Sequence, residues 1–255
     1  MDDLAEALDL GLEVGELVQL SGGHTARAVD QMERMALALG ATEAHPAVSS
    51  VNVAMTVLGE GGQRTAGRHA VHLGINFSTL TAVERLVDET ESERLTAPQV
   101  RARLTLIRHA SRVYPVWLVM LALGASSAAF AALFGATPGG IALTFVGGTL
   151  GATVRHALVR RHQKPFVAVT AAAFVAALVV AGGIVLAGGT TSTSPPALAA
   201  VTLFVVPGVP MLNGTADLLT AHYLNGVVKL AMSAVIIASA AIGLAAAVAL
   251  SGVLR

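Results

Sequence analysis

Pro207-Gly208-Val209-Pro210-Met211-Leu212-Asn213-Gly214-Thr215-Ala216-Asp217 decides the fold of this chain. Prolines and glycines interrupt an apolar run, and an aspartate follows it. Asp217 is the only acidic residue after Glu93, and the other fifteen carboxylates all lie in the first 93 of 255 residues. A lone acid beside a broken apolar stretch is costly to place in or near a bilayer. Such residues serve ion or substrate handling, or a polar contact between helices.

The charge pattern on either side of this motif divides the second half into spans. No charged side chain occurs between Arg112 and Arg155, between Lys164 and Asp217, or between Lys229 and Arg255. About 20 apolar helical residues cross the hydrocarbon core. The first gap therefore fits two spans, over Pro115–Phe134 and Gly140–Val159, joined by the turn Gly135-Ala136-Thr137-Pro138-Gly139. A third span is expected over Pro165–Gly188, followed by a polar loop at 190–196. A fourth, short and interrupted, covers Ala197–Leu212, and a fifth covers Val227–Leu254.

Lys and Arg in short loops mark the cytoplasmic side. Arg101, Arg103, Arg108, Arg112, Arg155, Arg160, Arg161, Lys164 and Lys229 all fall on one side when the N-terminus is cytoplasmic, with Arg255 the exception. The expected topology is N-in, C-out. Small residues four apart, such as Gly147 with Gly151 and Gly124 with Ala128, let helices approach closely in lipid. They either pack this chain's own helices or dock a second subunit.

Pro207 and Pro210 donate no backbone hydrogen bond, and Gly208 adds freedom between them. Non-helical backbone survives in lipid only where protein or water covers it. The fourth span is therefore expected to be discontinuous, as in transporters that bind ions and substrates at broken helices. Asn213 and Asp217 are four apart and share one helical face. The motif is open to two roles: an ion or substrate site, or a kinked helix whose Asp217 only caps a neighbour in interfacial water.

The first half is a different object. Residues 1–112 carry ten basic and fifteen acidic residues, a net of −5, while residues 113–255 carry six and one, a net of +5. The expected fold is mainly α: a small N-terminal cytoplasmic α+β domain over 1–112, then a polytopic helical membrane domain of about five spans over 113–255. Helices are expected over 3–20, over Thr25–Leu39 and near 78–91, with Thr96-Ala97-Pro98-Gln99 as the capping box of the next. Alternation over 48–58 predicts a half-buried strand, with 63–73 as its hairpin partner after Gly59-Glu60-Gly61-Gly62.

Little catalytic chemistry is visible. There are no cysteines, hence no disulfides and no thiolate metal sites. No basic stripe with aromatics suggests nucleic acid, and the acidic start Met1-Asp2-Asp3 is unlike a signal peptide. His69 and His72, three apart on a strand, point to opposite faces and do not share a metal. Arg64 and Arg68 share a face and are expected to meet the domain's excess carboxylates or solvent. Ser21-Gly22-Gly23-His24-Thr25 could hold an anion at a helix start, or be a plain turn. The membrane half offers one acid and three scattered histidines, His156, His162 and His222, too few for intramembrane acid–base catalysis. Neither an enzyme nor a cofactor is expected.

Several motifs together resemble a known family. Ala7-Leu8-Asp9-Leu10-Gly11, Ser21 through Arg27, Met32-Glu33-Arg34, Leu39-Gly40, Asn76-Phe77, Tyr114-Pro115 with Trp117-Leu118, and Phe134-Gly135 resemble the threonine/serine exporter (ThrE) family in content and order. Pro207-Gly208-Val209-Pro210 with Asn213, Gly214, Asp217 and Gly226 resembles its most recognisable membrane motif.

The resemblance implies a subunit for proton-driven export of small amino acids such as threonine and serine across a bacterial plasma membrane, with a succinate-type dicarboxylate exporter subunit, or a regulatory membrane subunit that does not itself transport, as the alternatives. It implies Pro207, Gly208, Pro210, Asn213, Gly214 and Asp217 as the substrate or ion site. Fused members carry a second set of about five spans. A chain ending at Arg255 is expected to be the longer subunit of a split exporter, working with a smaller membrane partner of about five spans.

Overall fold

The computed structural model describes residues 3–70, 75–109, 114–187 and 195–251. It divides into two compact units. The first comprises residues 1–111 together with Gly208–Ala231, a stretch the sequence assigns to the membrane half. The second comprises residues 112–207 and 232–255.

In the first unit, α1 (Asp3–Leu20) and α2 (Thr25–Ala38) precede a three-stranded antiparallel sheet of β1 (Glu43–Val48), β2 (Asn52–Gly59) and β3 (Gly62–His69), in the order β1-β2-β3. Then come α3 (Phe77–Glu93) and α4 (Ala97–His109). Helix α1 is the centre of this unit. Its Leu10, Val14, Leu17 and Val18 pack with Leu80, Val83 and Val87 of α3 and Val100 and Leu104 of α4. Its Leu4, Leu8 and Leu12 pack with Met32 and Ala36 of α2 and Val53, Met55 and Val57 of β2. Gly11 and Gly15 of α1 lie under the side chains of Met55 and Met32.

The ends of these helices follow the local chemistry. Asn76 caps α3 by accepting from the Thr79 amide at 3.2 Å. Gln99 reaches back to the Thr96 amide at 2.8 Å, as the capping box requires. Gly40 ends α2 at a positive φ of 100°, which costs a residue without Cβ little.

Two strand expectations need correction. β1 falls where no strand was expected, and the hairpin partner ends at His69 rather than 73, the next residues lying partly outside those described, His72 among them. β1 pairs along β2 with Pro46 opposite Met55. It is an edge strand, where a proline's missing N–H is tolerated.

In the second unit, α5 (Val116–Leu133), α6 (Pro138–Arg160) and α7 (Pro165–Leu186) stand where the first three spans are expected. Thr137 caps α6 by accepting from the Gly140 amide, with Pro138 opening the helix. A Cβ on Gly147 would meet the Ala176 carbonyl at 2.7 Å, and one on Gly151 the Ala172 carbonyl at 2.8 Å. These glycines therefore serve the chain's own α6–α7 contact.

The stretch expected as a fourth span is not one continuous helix. A short α8 (Pro195–Val201) leads to a 3-10 turn (Leu203–Val205), Val206 is extended, and helix resumes as α9 (Gly208–Leu219). α10 (Tyr223–Ser251) follows, starting four residues earlier than the expected fifth span. Among the described residues, α5, α7 and α10 are each long and apolar enough to cross a bilayer, and the pair Pro195–Val205 and Gly208–Leu219, bent by 65°, is a broken span or a re-entrant loop. α6, the expected second span, is less apolar, with five glycines, three threonines and Arg155 in its sequence.

Candidate functional site

The two prolines open α9 rather than interrupt a helix already under way. Pro207 precedes α9, and Pro210 is its third residue, in the first turn, where a missing amide leaves no intrahelical bond unmade. α9 then runs past Asn213 and Asp217, so both stand on the helix itself and not in a loop after it. They share a face, as their spacing predicts, and that face meets the turn between α1 and α2. The Asn213 amide donates to the Gly22 carbonyl at 2.7 Å.

Asp217 is fully buried. Its Oδ1 accepts from the Thr25 backbone amide at 2.8 Å, and its Oδ2 accepts from the Thr25 hydroxyl at 2.9 Å. Lys229, on the second turn of α10, donates to Oδ2 from Nζ at 2.6 Å. A buried carboxylate is tolerated only when charge-paired and hydrogen-bonded, and Asp217 has a cation and two donors. Thr25 is the first residue of α2, so the carboxylate also sits at the positive end of that helix dipole. The anion site open to Ser21–Thr25 in the sequence is thus filled from within the chain.

Asn225 completes the cluster. Its Nδ2 donates to the Thr25 hydroxyl at 3.2 Å and to the Val48 carbonyl at 2.8 Å, and its Oδ1 accepts from Ser50 at 3.4 Å. The Thr25 hydroxyl therefore donates to Asp217 while accepting from Asn225, using both halves of its capacity. The α9–α10 hairpin that presents these groups is tight. A Cβ on Gly226 would stand 2.8 Å from the Gly214 carbonyl and equally close to Leu218, and one on Gly214 would stand 2.9 Å from Leu230. Ala221 turns the corner with a φ of 64°. Gly208 has open space around its Cα, and Pro207 is buried.

His24 is the N-cap of α2. Its Nδ1 accepts from the Arg27 amide at 3.2 Å, which requires that nitrogen to be unprotonated. Burial pushes this histidine below its ordinary value, the Arg27 charge adds to that, and the Asp217 charge opposes it. His222 lies near the end of the hairpin, its Nδ1 at 3.2 Å from the Thr220 hydroxyl.

Sequence reasoning missed Lys229, Asn225 and Thr25 as members of this cluster. One signal was available: Asp217 and Lys229 are the only charged residues between Lys164 and Arg255. Other charges of the first unit form a separate network. Arg68 pairs with Asp9 at 2.5 Å and Glu16 at 3.2 Å, as the excess of carboxylates predicts. Arg101 joins at Asp9, and Arg108 at Glu13 and Glu16. Burial raises Asp9 and Glu16, but the hydrogen bonds and charges of these arginines outweigh it and hold both below the usual carboxylate range. Among the described residues no group of His, Asp and Glu is arranged to hold a metal ion.

Long apolar helices, one of them broken beside a buried ion pair, define an α-helical membrane protein. The family model described as "Putative threonine/serine exporter" matches residues 9–251, and the chain belongs to that threonine/serine exporter (ThrE) family. Two curated relatives carry the name "Probable succinate transporter subunit YjjP". The protein from Escherichia coli K12 is 29% identical over 95% of this chain and 94% of its own length. The one from Klebsiella aerogenes is 29% identical over 91% of this chain and 88% of its own. No solved structure matches the chain. Family and relatives both point to transport.

Proposed function

We propose that the chain is one subunit of a secondary transporter that exports a small carboxylate-bearing metabolite, with Asp217 and Lys229 as its switchable pair. The observation that carries this proposal is the buried pair itself, at 2.6 Å, on a helix that restarts after a broken span. Such a pair has two discrete arrangements, made and broken, and a transporter needs an element with two states. A proton taken up at Asp217 would cancel its charge. Breaking the ion pair in this way would release the Lys229 ammonium from the carboxylate, so that it could turn to a substrate carboxylate instead. Asn213, Gly214, Gly208, Pro207 and Pro210 would shape the same site as ligand, close contact and flexible backbone.

In this proposal α5, α6, α7, the broken pair and α10 are five spans in an N-in, C-out arrangement. Residues 1–112 form a cytoplasmic domain, and the setting is a bacterial plasma membrane. An odd number of spans allows a second, inverted set to close against the first. The relatives' description as subunits supports a partner, here a membrane protein of about five spans from the same family. Two substrates are in view: a dicarboxylate of the succinate type, favoured by the relatives' names, and a small amino acid of the threonine/serine type, favoured by the family description.

Proteoliposomes holding this chain with its partner, or either alone, test the proposal. Labelled succinate or threonine is expected to move only when both subunits are present and a proton gradient is imposed. Flux from this chain alone, or none of either substrate with both present, would overturn it.

A further inference from the structure

The corner between α6 and α7 carries charge unlike that of the first unit. Arg155, Arg160, Arg161 and Lys164 fall within ten residues, and all four are exposed. Their unit contains no aspartate or glutamate anywhere in its sequence. In the first unit, by contrast, arginines sit against carboxylates: Arg27 on Glu84, Arg34 on Asp88, Arg103 on Glu89. Apolar side chains open at the same corner as the four cations. Val159 is 49% exposed, Phe166 41% and Val167 51%. Lys164 directly precedes Pro165, the first residue of the apolar α7.

We infer that this corner is a docking surface for anionic phospholipid headgroups. Charge complementarity selects the occupant. A cluster of cations with no acid in its own unit, placed where apolar helices end, matches a layer of phosphates lying over hydrocarbon. Arg160, Arg161 and Lys164 meet phosphate oxygens, while Val159, Phe166 and Val167 lie among the acyl chains. Arg155 stands five residues further into α6, about 7.5 Å along the axis. Its long stem lets the guanidinium reach back to the same headgroup layer. Each such cation strengthens attraction to an anionic surface by roughly fivefold, and salt near 1 M shortens its reach to about 3 Å.

The test places a reporter at the corner of the full chain. Phe166→Trp is combined with Trp117→Phe, which removes the only native tryptophan. The protein is reconstituted into mixed phosphatidylcholine and phosphatidylglycerol vesicles in which one lipid or the other is brominated. Brominated phosphatidylglycerol is expected to quench the reporter several-fold more effectively at equal mole fraction. That preference should fall to unity when Arg160, Arg161 and Lys164 are changed together to Gln, survive Arg160→Lys with Arg161→Lys, and decline with added chloride. Equal quenching by both lipids, or a preference that persists in the glutamine variant, would overturn the inference. So would a preference abolished by inorganic phosphate but not by chloride at the same ionic strength, which would mark a free-anion site instead. Should the glutamine variant fail to fold by circular dichroism, the chloride and phosphate titrations of the parent decide the matter.

Discussion

Asp217 and Lys229 stand on successive helices of one hairpin, and their side chains meet at 2.6 Å with the carboxylate wholly out of solvent. Removing Lys229 leaves the buried carboxylate without its cation, at a cost of about 3–5 kcal/mol, and removing the Asp217 charge takes the carboxylate from a part-buried lysine. Asp217→Asn and Lys229→Gln should each lower the melting temperature of the purified protein. The double variant should be more stable than the sum of the two losses predicts, with a coupling of at least about 1 kcal/mol. Additive losses in a double-mutant cycle would show that the two side chains do not act as a pair.

Thr25 is the hinge of the cluster, donating to Asp217 through both its amide and its hydroxyl and accepting from Asn225. Thr25→Val keeps the shape and the amide but removes the hydroxyl, leaving buried polar groups short of a partner. A loss of about 1–3 kcal/mol is expected. Thr25→Ser retains the hydroxyl and should cost clearly less in the same thermal melt.

His24 gives the first unit a pH dependence with a definite sign. Its value in the folded chain lies below the ordinary 6.5, because burial and then Arg27 disfavour the imidazolium. Between the two values the unfolded chain binds the proton and the folded chain does not, so stability rises with pH there. The contribution is present in full above about 6.5 and is lost as pH falls through the folded value. Melting temperature plotted against pH should show this slope just below neutrality, and His24→Asn, which keeps a capping side chain, should flatten it.

Gly214 and Gly226 hold α9 and α10 together at backbone distance. Gly226→Val would push a side chain into the Gly214 carbonyl and Leu218, an overpacking cost of about 1–3 kcal/mol. Because the clash separates the helices that carry Asp217 and Lys229, transport should fall along with stability. A variant with the clash and full flux would show that the tight crossing is dispensable.

Much of the fold was legible because its boundaries are written in local chemistry. Asn76, Gly40 and the Thr96–Gln99 box end or begin helices through atoms a few residues apart. The uncharged gaps outlined α5, α6 and α7 within a few residues. β1 was not legible, because Glu43–Val48 carries a proline and little alternation, and it becomes a strand only by pairing with β2. The site was half legible. Asn213 and Asp217 were found from spacing and from the isolation of the acid. Their partners Gly22 and Thr25 lie 191 and 192 residues away, a distance no local pattern reports. Where α9 begins also escaped the sequence, since prolines that end one helix and prolines that open the next look the same in a one-dimensional reading.

The most direct measurement is proton-driven substrate flux in proteoliposomes carrying this chain and its partner, comparing Asp217 with Asp217→Asn, with the folded fraction followed by circular dichroism in the same vesicles. The asparagine variant is expected to stay inserted and folded at the assay temperature and to lose flux by about tenfold or more, the signature of an interaction needed for turnover. Folded protein carrying Asp217→Asn with undiminished proton-driven flux would contradict a switching role for the Asp217–Lys229 pair, and would leave that cluster as the fastening of α9 and α10 to the α1–α2 turn.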